Sequence, residues 1–404
     1  MESRGVNGRA VRCAVAALVL LAGGCAEPRT HPTLSLVAAT PVDVPLVPVP
    51  PTAVPAPRTF TVVGSGDVLL HDALWTLARH DAADEGRTGY DFAPLFASVK
   101  PVIAGADLAI CHLETPLAPE NGPFYSYPSF SVPPQVVPAL ADLGYDSCST
   151  ASNHSLDQGE AGIVRTLDAL DAAGIRHAGT ARSAEESAQP TLLRVNGVTV
   201  AHLSYSWSFN GVLRPAGKPW LANLLDADDV LAEARRARAA GADVVIVSMH
   251  AGTEYQHAAD SYQISLAHRL LESPDVDLIL GAHVHVVQPL ERIGEKWVAY
   301  GMGNQVAWQN QAYDTRDGIM PRFTFTEVSP GVFRVTTAEV IPIHMWLDGA
   351  PARLYDVATT LAAPDTPPAI RASCLASLRR TASILDQRGA FADGLVLRGA
   401  EALG

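Results

Sequence analysis

Cysteine is scarce: five in 404 residues. Two of them, Cys13 and Cys25, fall in the first 25 positions. Cys111, Cys148 and Cys374 are too few and too scattered for a disulfide framework. Cys111 and Cys148 each sit near the end of an expected strand, so a bridge between them suits an oxidising compartment. Two buried free thiols are the favoured expectation. Positive charge is short as well, with 29 Lys and Arg against 42 Asp and Glu, a net charge of −13. A chain this acidic binds nucleic acid and anionic headgroups poorly, which removes nucleic acid from the expected partners. Past the N-terminus no run of 18 uncharged apolar residues occurs, so no membrane-spanning helix is expected. No internal repeat is visible. What is present suits a large core: apolar residues are 48% and charged residues 18%, values that exclude global disorder.

The first 24 residues read as an export signal. Arg4, Arg9 and Arg12 form a basic start, followed by an apolar run from Cys13 to Ala22 and then Gly23, Gly24 and Cys25. That run is too short to span about 30 Å of hydrocarbon as a helix, but it fits the apolar stretch of a signal peptide. The small residues before Cys25 resemble a bacterial lipoprotein box, with Ala22 where Leu is usual. The resemblance implies cleavage before Cys25 and lipidation of its sulfur. The alternative is an ordinary signal peptide and a secreted product. Removing residues 1–24 takes away Arg4, Arg9, Arg12 and Glu2, so the remainder carries 26 basic and 41 acidic groups, or −15. Residues 25–58 read as a tether, with seven prolines between Pro41 and Pro57 favouring extended polyproline II. An anionic substrate would need local positive charge on so acidic a body, and bound metal would provide it.

From Thr59 the texture changes to alternating strand-like and helix-like segments. Strands are expected at Phe60–Val63, Asp107–Leu113, Tyr145–Thr150, Val244–Met249, Val276–Leu280 and Trp297–Tyr300. Helices are expected at Pro134–Leu143, Glu160–Ala173, Asp226–Ala240 and Tyr262–Leu271. Leu192–Tyr205 reads as a hairpin turning at Asn196-Gly197, and Arg322–Val328 with Val332–Pro342 as a closing antiparallel pair. Such alternation predicts an α/β fold with mixed sheets over residues 59–345. Residues 346–404 read as a helical appendage, with one amphipathic helix at Ala369–Leu385.

Five strand-like runs end in groups that ligate metals. They lead to Asp67, to His112 and Glu114, to Asn153 and His154, to His250, and to His283 and His285. In open α/β sheets ligands bind beyond the carboxyl ends of the strands, so parallel strands would gather these side chains at one edge. Imidazole and carboxylate oxygen suit Zn, Mn or Fe(II), as one ion or as two about 3.5–4 Å apart. A histidine beside such a site can protonate a leaving alkoxide. Each element alone has an ordinary explanation, such as a turn for Gly66-Asp67 or a core imidazole for His250. Their succession after strand upon strand favours a metal site.

The segments Gly64–Asp72 (GSGDVLLHD), Asp107–Leu117 (DLAICHLETPL), Gly144–Leu170, Met249–Tyr255 (MHAGTEY), Gly281–Glu291 (GAHVHVVQPLE) and Tyr300–Val306 (YGMGNQV) resemble the CapA family of capsule and poly-γ-glutamate synthesis proteins. That family lies within the calcineurin-like metallophosphoesterase superfamily. The resemblance implies a four-layer α/β/β/α sandwich with its metal site at the sheet edge. It implies Asp67, Glu114, Asn153, His250, His283 and His285 as metal ligands, with Glu114 bridging, and His154 as the catalytic group assisting departure of the leaving group. Glu254 and Asn304 match positions near the site. His112 stands where the family has Asn, and a solvent-facing or outlying role is expected for it. Leu69 replaces the usual histidine of the first motif, and His71 is the nearest substitute. The function implied is metal-dependent, phosphoesterase-type hydrolysis at the cell envelope, on a phosphoester or an anionic polymer. A non-catalytic metal-binding scaffold of a membrane polymer-synthase complex and an amide hydrolase of poly-γ-glutamate are the alternatives. Arg214 and Lys218, in the loop Gly211–Trp220, are candidates for contacting an anion, although a solvated surface loop explains them equally well.

Overall fold

A computed structural model describes residues 56–309 and 313–404. The expected signal segment, Cys25 and nearly all of the tether lie outside the described residues. Strands β1 (Thr59–Val68), β2 (Leu108–Leu113), β3 (Ser147–Ser149) and β4 (Arg176–Ala178) run parallel in one sheet. Strands β5 (Thr191–Val195), β6 (Val198–Ser206), β7 (Val244–His250), β8 (Leu278–Ala282), β9 (Leu290–Ile293) and β10 (Lys296–Ala299) form the second, in the order β5-β6-β7-β8-β10-β9. The chain then returns to the first sheet through β11 (Asn304–Val306), β12 (Asp317–Ser329), β13 (Val332–Trp346), β14 (Arg353–Asp356) and β15 (Leu395–Leu397).

Period-two alternation in the strands separates three apolar layers. Val62, Leu108 and Ile110 face the second sheet, where Val200, Ile246 and Leu280 meet them. Their neighbours Val63, Ala109 and Cys111 face outward onto Leu74, Leu140 and Leu167 of helices Asp72–Asp84, Val136–Leu143 and Gly159–Ala172. On the far side Ala201, Val245 and Ile279 pack against Val230 and Leu270 of helices Ala227–Ala239 and Ser261–Glu272. The result is the expected α/β/β/α sandwich with two mixed sheets.

Two expectations are corrected. Cys111 and Cys148 are joined as a disulfide rather than left as thiols, because they are register partners on adjacent parallel strands with Cα atoms 4.5 Å apart. The C-terminal segment does more than add a helix. It contributes β14 and β15 to the first sheet, and helix Pro368–Leu385 buries Cys374, Leu378 and Leu385 in the layer between the sheets.

Candidate metal centre

The carboxyl ends of the parallel strands set the site. Asn304 of β11, Asp67 of β1, His112 of β2 and Ser149 of β3 are register partners in one row across the first sheet. His250 ends β7 in the facing sheet, and the turn after β8 supplies His283 and His285. Close backbone contact brings these ends together. A Cβ on Gly66 would lie 1.8 Å from the Gly303 carbonyl oxygen, and one on Gly281 would lie 1.9 Å from that of Tyr300. His283 and His285 hold φ values of +97° and +60°. Non-glycine residues adopt this region at a cost, and such strain concentrates at functional sites.

Asp67 is fully buried and accepts the backbone N–H of His283 at 3.2 Å, with His285 Nδ1 at 3.1 Å from its other oxygen. His112 Nε2 lies 3.7 Å from Asp67 Oδ1 and 2.9 Å from His250 Nδ1. His250 Nε2 is 3.1 Å from Asn153 Oδ1. Ser152 Oγ donates to the Glu114 carbonyl at 2.6 Å, tying the end of β2 to the loop that carries Asn153 and His154. Ligand atoms of Asp67, His112 and His250 fall within 4.8 Å of one another, and so do those of Asp67, Glu114 and His285. Asp67 is common to both groups.

Burial pushes His112 down to about 4 and His283 down to about 3, and holds His250 well below its ordinary 6.5. These rings are neutral imidazoles, the form that ligates metals. Burial opposes a charge on His285 too, but the attraction of Glu114 and Asp67 pushes it up to about 10. Burial, aided by the charges of Asp67, Glu254 and Asp157, holds the Glu114 carboxyl well above 4.5.

The polar groups left over test whether a cation fits. Both oxygens of Glu114 are buried and have no hydrogen-bond partner, and neither has His283 Nδ1. Buried polar atoms in folded proteins are almost always paired, and an unpaired carboxylate is especially costly. The two Glu114 oxygens beside neutral imidazoles and Asp67 make an oxygen-and-nitrogen donor set suited to divalent Mn, Fe or Zn. The residues present therefore fit a metal.

The other candidates fall around this cluster. His283 packs tilted against His250, with ring centroids 4.6 Å apart, and accepts the indole N–H of Trp207 at Nε2, 3.0 Å away. His154 is buried, with Nδ1 2.7 Å from Asp157 Oδ2 and its ring edge-on to Phe130. Asn304 orients His285: its Oδ1 is 3.1 Å from His285 Nδ1, while its Nδ2 donates to the carbonyls of His285 and Thr315. Glu254 is exposed, yet its charge reaches Glu114 and His285. His112 does not face solvent; it is 2% exposed and stands inside the cluster. His71 belongs to neither ligand group, and its Nδ1 accepts the Trp308 backbone N–H. Arg214 donates to the Pro219 and Ala222 carbonyls and Lys218 pairs with Glu160, so both cations are already engaged. Sequence reasoning missed Trp207, which carries no motif, and the Ser149 hydroxyl that holds His112 Nδ1.

The family model "Bacterial capsule synthesis protein PGA_cap" matches residues 61–309. The capsule biosynthesis protein CapA of Bacillus anthracis is 25% identical over 302 residues, covering 72% of this chain and 68% of that protein. The PGA biosynthesis protein CapA of Bacillus subtilis is 26% identical over 286 residues, covering 68% and 70%. Among solved structures, a phosphatase from Mycoplasma pneumoniae aligns at 14% identity with a TM-score of 0.42, over 71% of this chain and 94% of that one. The match runs from within β1 through β11 and takes in every candidate ligand in the cluster, so the chain belongs to the bacterial capsule synthesis protein PGA_cap family.

Proposed function

We propose that this protein is a metal-dependent hydrolase of phosphoesters that works on the outer side of the bacterial membrane, held there by lipid on Cys25, in the making of capsule or poly-γ-glutamate. The observation that carries the reading is the pair of buried Glu114 oxygens that have no hydrogen-bond partner, among Asp67, His112, His250 and His285. One or two divalent ions there would supply Lewis-acid stabilisation of phosphoryl charge and lower the pKa of water. Asp67 and Glu114 would hold them with Asn153, His112, His250, His283 and His285. In hydrolysis the water oxygen bonds to phosphorus while the bond from phosphorus to the leaving oxygen breaks. His154 gives that oxygen its proton. Asp157, 2.7 Å from His154 Nδ1, fixes the ring.

The full chain, loaded with Mn, is expected to turn over aryl phosphates, and Glu114→Ala to lose about 10²–10³-fold in kcat with a matching loss of bound metal. Equal rates for wild type and variant would end the metal-catalysis reading. Retained metal with no turnover of any ester, together with binding of polyglutamate, would leave a scaffold.

A further inference from the structure

The rim of the metal centre has a chemistry of its own. Three segments border it, and each contributes an exposed aromatic ring. Trp207 is 47% exposed and donates its indole N–H to His283. Tyr255 is 47% exposed, with its ring 5.9 Å from that of His285. Its backbone sits at φ +64° and is pinned by an N–H bond to the Val284 carbonyl, between the two site histidines. Tyr127 is 75% exposed. It belongs to a turn closed by paired backbone hydrogen bonds between Tyr125 and Ser131, and Phe130 of that turn packs on His154.

The lysines and arginines near the same rim are already engaged. Among the described residues no lysine or arginine bonds to Asp67, Glu114, Asn153, His154 or the four histidines of the cluster. All three lysines of the chain are engaged elsewhere: Lys100 with Asp142, Lys218 with Glu160, and Lys296 with the Ser273 and Val276 carbonyls. Arg214, on the rim segment itself, is spent on two carbonyls. The outlying charges that reach the centre belong to Glu254 and Asp157, both acidic. A run of carboxylates entering here would meet the like charges of Glu254 and Asp157 beside the site. An uncharged ring would meet aromatic faces.

We infer that Trp207, Tyr255 and Tyr127 form the subsite for the leaving group, and that this group is an uncharged ring rather than a polyanion. The inference rests on the phosphoester reading above and narrows its substrate class. Two sources supply such a ring, a hexopyranose or an aryl group. The rings act by covering one face of the substrate, and the metals by holding the phosphoryl group, so the two contributions separate by experiment.

The test uses the full chain loaded with Mn and two matched pairs of esters: glucose 1-phosphate against glucuronic acid 1-phosphate, and phenyl phosphate against 4-carboxyphenyl phosphate. The uncharged member of at least one pair is expected to have a kcat/KM higher by roughly tenfold or more, and the pair with the larger ratio identifies the source. Trp207→Ala and Tyr255→Ala are expected to shrink that ratio, chiefly through KM. Tyr127→Ala, at the most exposed position, gives the same test with the least demand on folding. Ratios near or below one in both pairs, or ratios that all three variants preserve, would overturn the inference. If no ester is hydrolysed, the phosphoesterase reading fails separately. Calorimetry then decides: tighter binding of glucose 1-phosphate than of a poly-γ-glutamate oligomer supports the ring subsite, and tighter binding of the oligomer overturns it.

Discussion

His112 shows how one side chain changes role with its neighbours. Its Nδ1 is held by Ser149, which aims Nε2 at His250 and Asp67. His71, the other candidate to replace the histidine absent at position 69, is turned away onto Phe130 and the Trp308 backbone. His112→Ala is therefore expected to weaken Mn binding at least 10–100-fold, the range seen when groups at or behind a metal are removed. His71→Ala should leave the stoichiometry unchanged. Calorimetric titration of the full chain reads both, and the reverse pattern would return His71 to the ligand set. The sequence places Glu114 at a strand end, as the structure does, but it gives His112 a solvent-facing or outlying role that the buried ring does not have. Alternation along β2 puts Cys111 and His112 on opposite faces, yet it cannot say that β7 lies opposite, and that opposing sheet is what makes position 112 part of the centre.

At the scale of elements, long periodic segments were legible and several short ones were not. The Asn196-Gly197 turn appears with φ values of +48° and +75°, and helix Ala227–Ala239 begins where Asp226 caps the N–H groups of Asp228 and Asp229. These features are local and carry their own signals. Strands β11, β14 and β15 are three or four residues long, too short for period-two patterning, and their place depends on partners far along the chain. Helix Pro368–Leu385 was visible, but its partner was not. Arg380 on that helix reaches Asp317 at the start of β12, at 2.7 and 3.0 Å, and Asp317 also contacts His344. Burial opposes a charge on Asp317, but His344 and Arg380 hold it below its ordinary 3.8. Arg380→Ala leaves that carboxylate buried with one partner fewer and should cost roughly 3 kcal/mol by urea denaturation at pH 7. The depressed carboxyl stabilises the fold fully above 3.8 and loses that contribution as pH falls through its folded-state value. The gap between wild type and Arg380→Ala should therefore narrow in acid. An equal gap at pH 7 and pH 3 would show that packing, not charge, is what the arginine provides.

For the molecule as a whole, charge decides how it can stay at a membrane. No helix among the described residues is long and apolar enough to cross one. The chain carries −13, and −15 once residues 1–24 are removed with Arg4, Arg9, Arg12 and Glu2. Anionic headgroups repel such a body, and attraction of basic residues to the bilayer surface is not on offer to it. Adsorption is therefore a poor anchor, and under the proposed function the lipid on Cys25 would do that work. A single acyl chain binds reversibly, whereas two give stable attachment, which a diacylglycerol on the Cys25 sulfur would satisfy. The expectation follows for cells expressing the full chain. The wild-type protein should stay in the membrane fraction through washes at both low and high salt, because the anchor owes nothing to charge. Cys25→Ser should appear in the soluble extracytoplasmic fraction at either salt, with the fold and its metal intact. A wild-type protein that high salt releases would point to ionic adsorption on some other envelope component. One that is soluble from the start would mean that the signal is cut as an ordinary secretory peptide and that the hydrolase acts in solution.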